Sequence, residues 1–123
     1  MQIILLCLGA ALTVIWGISY LIPTKNVVAG FGDISHDNRQ IITMEWIVEG
    51  VSLVLVGALV AVVTFIDPKA AVSRAVYIVS TIGLLTLALV SLFTGFKVRF
   101  LPFKLCPFIL TVSAVLVISG ALV

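Results

Sequence analysis

IITMEWIVEGVSLVLVGALVAVVTFI, residues 41–66, is an apolar run long enough to cross a bilayer as a helix, for which about 20 residues suffice. Two acids interrupt it. Glu45 and Glu49 stand four positions apart and therefore share one helical face. A charged side chain at the centre of a membrane helix costs about 3 kcal/mol or more unless it is paired or turned toward a polar interior. The spacing therefore predicts a membrane helix with one acid-bearing face, turned either to the bundle interior or to a neighbouring subunit.

Three further apolar runs flank this one, over residues 3–22, 72–96 and 108–123. With 63% hydrophobic and 10% charged residues, the chain lies far from the soluble average of about half apolar and a quarter charged, which excludes an ordinary aqueous domain. The expected fold is all-α, an integral membrane antiparallel four-helix bundle. Residues 1–123 read as a single transmembrane domain with helices near 3–22, 38–66, 68–96 and 106–123. The first run has neither a basic start nor a cleavage pattern, so it reads as a retained helix rather than a secretory signal.

Charge placement sets the expected orientation. Lys25, Arg39, Lys97, Arg99 and Lys104 lie in or beside connections one and three, whereas only Lys69 and Arg74 flank connection two. By the positive-inside rule, connections one and three are cytoplasmic and both termini lie on the opposite side. The net charge of +2 is scattered over loops without a basic stripe, which excludes nucleic acid as a partner. Cys7 and Cys106 fall near opposite membrane faces, too far apart for a disulfide, and read as ordinary apolar positions.

Pro23 ends the first helix, and residues 24–38 read as the one long connection. Asp37-Asn38-Arg39-Gln40 resembles a capping box that starts helix two, and Asp67-Pro68 reads as the cap and first residue of helix three. Residues 96–107 alternate Lys97, Arg99 and Lys104 with Phe96, Phe100 and Phe103, as an interfacial segment in contact with membrane lipids would. Small residues predict the helix seams: Gly9, Thr13 and Gly17 on helix one, Gly57 and Ala61 on helix two, Thr81, Ala88 and Gly95 on helix three.

Ser52 extends the glutamate face by one turn, giving a continuous strip of Glu45, Glu49 and Ser52. Tyr20, Asp33, His36, Arg39, Lys97 and Arg99 share its side of the membrane. Three roles compete for the strip. A glutamate paired with Arg39, Lys97 or Arg99, or hydrogen-bonded to Tyr20, would act as interhelical glue. Alternatively, Glu45 and Glu49 would act as a catalytic acid and base or carry protons, with Tyr20 or His36 orienting a substrate. In the third role the strip, with Tyr20 and Arg39, lines a pocket for the polar end of a hydrophobic molecule. His36 is the only histidine, and in a loop rich in Gly, Asp and Asn it reads first as a solvated or capping residue. No Glu-x-x-His or His-x-x-x-His spacing accompanies the acids, so no metal is predicted, and nothing in the chain marks a cofactor. Trp16 and Trp46 read as interfacial anchors.

The succession Trp16-Gly17-x-x-Tyr20-Leu21-x-Pro23, then Phe31-Gly32, then Glu49-Gly50 and Leu55-Val56-Gly57 resembles the small four-helix membrane proteins of the DoxX-like group. The likeness covers mainly the first half of the chain. Members of the group often carry an arginine near the start of helix two, where this chain has Met44-Glu45-Trp46. The resemblance implies a four-helix membrane fold and service as a membrane subunit beside oxidoreductases. The expected function is binding of a hydrophobic small molecule or a membrane partner, either another protein or a second copy, through the intramembrane glutamate face. A membrane-embedded isomerase or epoxide hydrolase acting on a lipid-like substrate is the second reading. A proton-coupled small exporter is the third, although helix one lacks the acid that such exporters use.

Overall fold

The computed structural model describes the backbone of residues 1–95 and 101–123, and the side chains of 1–93 and 105–123. Among the described residues it contains five helices: α1 (Gln2–Leu21), α2 (Thr24–Ala29), α3 (His36–Ile66), α4 (Ala71–Gly95) and α5 (Leu101–Leu122). No strand occurs among the described residues. Four of the helices are long and apolar enough to cross a membrane, and the chain is a multi-pass membrane protein. Lys97, Arg99, Phe96 and Phe100 of the expected interfacial segment lie outside the described residues, as do the side chains of Phe103 and Lys104.

Local chemistry explains where the helices start and stop. The Ser35 hydroxyl accepts the Asn38 N–H at 3.2 Å and caps α3, so the helix begins two residues before the expected cap at Asp37. Asp37 falls in the first turn instead, where its charge faces the positive end of the helix dipole. Part of connection one coils into the short α2, and Gly32, at φ +75°, supplies the left-handed backbone that turns the chain into α3. Asp67 is the C-cap of α3 rather than the cap of the next helix. Its Oδ1 accepts the Lys69 N–H at 2.9 Å in an Asx-turn, and α4 starts only at Ala71. The last helix, α5, begins at Leu101, five residues before the expected 106, and holds Pro107 within it.

Lipid tails are as apolar as leucine, so membrane helices associate through close packing and polar contacts rather than through the hydrophobic effect. α1 provides most of that packing. It is flanked by α3 on one side and α5 on the other, while α4 packs on α5 and touches α3 only sparingly. Glycines set the close approaches. A Cβ on Gly57 would lie 2.8 Å from the Ala10 carbonyl, one on Gly17 2.7 Å from the Gly50 carbonyl, and one on Gly9 3.2 Å from the Ser113 carbonyl. Positions fall on α3 and α5 as they rise on α1, so both neighbours run antiparallel to it. The result is an antiparallel bundle with a loosely closed side between α3 and α4.

One polar clasp bridges that side. The Thr64 hydroxyl spends its proton on the Val60 carbonyl at 2.6 Å, so the Tyr77 hydroxyl is the donor in their 2.8 Å hydrogen bond. Tyr77 is fully buried and Thr64 nearly so. Tyr77→Phe is expected to lower stability in mild detergent by about 0.6 kcal/mol, the average measured for interhelical hydrogen bonds in membranes. Thermal unfolding followed by circular dichroism measures it.

The inward face of α3 consists of Trp46, Gly50, Leu53, Gly57, Val60 and Thr64. Glu45, Glu49 and Ser52 form the same stripe displaced by one residue, which rotates it about 100° around the helix. Glu45 and Ser52 are consequently exposed and Glu49 is half-buried. No Asp, Glu, Lys or Arg is buried among the described residues. The expected intramembrane glutamate face is therefore absent, because the seam glycines and Trp46 turn the helix so that its acids point sideways. The three functions built on that face fall with it: ligand or partner binding through the glutamates, acid–base catalysis on a lipid-like substrate, and proton-coupled export.

Candidate functional site

Toward the interior, beside the sideways-turned glutamates, the bundle carries an aromatic and thiol cluster. Trp16 and Tyr20 follow at i and i+4 on α1, on the side that Gly9, Thr13 and Gly17 turn toward the neighbouring helices. Trp46 from α3 lies over Tyr20 with ring centroids 4.7 Å apart and planes at 34°, and Trp16 meets Tyr20 edge-on at 5.8 Å and 77°. The Trp46 indole N–H donates to the Tyr20 backbone carbonyl. Both tryptophans thus spend their polar edges inside the protein, in place of the interfacial anchoring expected of them.

Cys106, fully buried on α5, is the hub behind these rings. Its Sγ lies 3.4 Å from Trp16 Nε1, 3.3 Å from Tyr20 Oη and 3.5 Å from Ser91 Oγ. The indole N–H and the phenol donate to the sulfur, so one thiol joins α1, α4 and α5. Sulfur is a weak acceptor, but a large and polarizable one that can receive several donors at once. Neither Cys106 nor Ser91 stands out in the sequence. The readable clue was the position of Trp16 and Tyr20 on the glycine-marked face of α1, which has to point at a helix.

In front of the rings lies the gap between α3 and α4, an open groove of about 380 Å³. Trp46, Leu87, Ile42, Val48 and Phe31 supply its apolar lining, and Glu45, Glu49 and Ser52 its polar lining. Its volume falls within the roughly 300–1,000 Å³ typical of small-molecule sites. The wall is held rigid from behind, since Trp46 is braced by Tyr20, and Tyr20 by Cys106.

Of the residues singled out in the sequence, Glu45, Glu49 and Ser52 share the groove and Tyr20 meets Glu49, whereas His36 and Arg39 lie elsewhere. Tyr20 is buried in the thiol cluster, with the Glu49 carboxylate close to its hydroxyl. His36 is exposed at the first turn of α3, about 13 Å along the helix axis from Glu45. Arg39 is exposed and faces a different cavity, beside Lys25. Among the described residues no three side chains of His, Cys, Asp or Glu gather where they could hold a metal ion.

Fold and composition together define the class: a small, all-helical, multi-pass membrane bundle. Comparison with family models, with curated proteins and with solved structures finds no match to this chain.

Proposed function

We propose that this chain is a membrane-embedded binding subunit of the DoxX-like kind, which receives the apolar part of a bilayer-borne molecule in the groove between α3 and α4. The observation that carries the reading is the loose closure of that side of the bundle, which leaves a lipid-facing groove walled by a braced tryptophan. Recognition is by shape and by contact with the Trp46 ring. In this reading connections one and three are cytoplasmic and both termini lie on the opposite side, which places the groove in the cytoplasmic half of the bilayer.

Val48→Trp tests it. Val48 lines the groove yet is 53% exposed, so a larger side chain there fills the space without entering the core. Native mass spectrometry of the protein released from mild detergent is expected to show a retained small molecule on the wild type and its loss from the variant, with unchanged helix content. A wild type that retains nothing, or a variant that retains the same species, removes the groove from the function. A second copy of the chain that dissociates on Val48→Trp would assign the groove to self-association instead.

A further inference from the structure

We propose that Lys25 and Arg39 form a binding site for the phosphate of an anionic phospholipid, whose acyl chain runs down the adjoining trough between α1 and α3. The site lies outside the α3–α4 groove and stands without the reading given to that groove. Two cavities meet here, of about 280 and 650 Å³, and both are bordered by Lys25 and Thr43.

The first cavity brings together cations that the sequence keeps 14 positions apart: Lys25 on α2 and Arg39 in the opening turns of α3. The turn at Gly32 folds α2 back against α3 and makes the approach. Gln40 adds an amide to the same cavity. Donors are what a phosphate needs. An ammonium offers three, and a guanidinium offers a planar fork that matches two phosphate oxygens at once. The nearby threonines do not compete for that role, since Thr24 Oγ1 donates to the Leu21 carbonyl and Thr43 Oγ1 to the Arg39 carbonyl, each at 2.7 Å.

No acid lines either cavity, and Asp37, two positions before Arg39, projects about 200° away around the helix. Among the described residues neither Lys25 nor Arg39 has an ion-pair partner. The second cavity explains why the phosphate belongs to a lipid. It continues from Lys25 onto Leu21, Ile22 and Ile47, so a cationic mouth opens into an apolar trough. Its level is also that of a headgroup: α1 ends at Leu21, and the apolar run of α3 begins two residues after Arg39. A free phosphate has no use for the trough, and a neutral lipid has little use for the two cations.

The test is a lipid titration of the whole protein in mild detergent, read by native mass spectrometry, with phosphatidylglycerol, phosphatidylcholine and inorganic phosphate as probes. Phosphatidylglycerol is expected to bind the wild type roughly thirtyfold more tightly than Lys25→Gln/Arg39→Gln, at about fivefold per cation. Both side chains are exposed, so the variant keeps its fold. Lys69→Gln/Arg74→Gln, at the opposite end of the bundle, is expected to bind as the wild type does. Equal binding by the first variant overturns the site, and equal loss from the second reduces it to general charge attraction. Inorganic phosphate that binds as tightly as the lipid overturns the lipid assignment in favour of a free anion.

Discussion

Gly17→Leu is expected to dismantle the bundle, with a loss of at least about 3 kcal/mol, at the upper end for overpacked interiors. A Cβ alone at this position would sit 2.7 Å from the Gly50 carbonyl and 2.9 Å from both the Val54 N–H nitrogen and its Cγ2. Two of those neighbours are backbone and cannot rotate aside, so α1 and α3 have to move apart. Separation there is especially damaging, because α1 is the helix that joins α3 to α5. The comparison is Gly83→Leu. That glycine is exposed on α4 with nothing within 4 Å of its Cβ direction, and its substitution is expected to change stability by less than about 0.5 kcal/mol. Thermal unfolding monitored by size-exclusion chromatography distinguishes the two, and equal behaviour would refute the α1–α3 seam.

The second large effect is expected at Cys106→Ala, a loss of about 2–3 kcal/mol. The substitution removes the sulfur that accepts from the Trp16 indole and the Tyr20 hydroxyl, and leaves the indole N–H without that acceptor and the hydroxyl with the Glu49 carboxylate alone. Each lost membrane hydrogen bond is worth about 0.6 kcal/mol on average, and the unfilled volume and the stranded indole N–H supply the remainder. Cys106→Ser keeps an acceptor and is expected to cost less than half as much. A double-mutant cycle with Tyr20→Phe isolates the pair, with a coupling of about 0.5 kcal/mol or more. Additive effects in that cycle would mean that the thiol merely fills space. Because Tyr20 braces Trp46, Cys106→Ala is also expected to shift tryptophan fluorescence to longer wavelength as the groove wall loosens.

The readings that depend on composition and local order are the ones that hold. Long apolar runs separated by Pro23 and Asp67-Pro68 specify membrane helices, since a bilayer leaves the backbone few other ways to satisfy its hydrogen bonds. Gly9, Thr13, Gly17 and Gly57 mark helix seams, because only small residues permit the approach that replaces the hydrophobic effect in lipid. Boundaries moved by a few residues where two side chains competed for one role, as Ser35 displaced Asp37 at the start of α3.

The direction in which a helix face points is a different kind of information. Spacing placed Glu45, Glu49 and Ser52 on one strip but carried no absolute rotation, and the inward stripe proved to lie one residue over, on Trp46, Gly50 and Leu53. A shift of one position turns a face by about 100°, enough to move an acid from the interior to the groove. The thiol hub is likewise tertiary, since Cys106 meets Trp16 and Tyr20 across 90 and 86 positions of chain. The sequence by itself determined that this protein spans the membrane as antiparallel helices, because hydropathy and run length are local properties. Only the tertiary structure decided that its glutamates line a groove and that a cysteine anchors the wall behind it, because both depend on how separate helices rotate against one another.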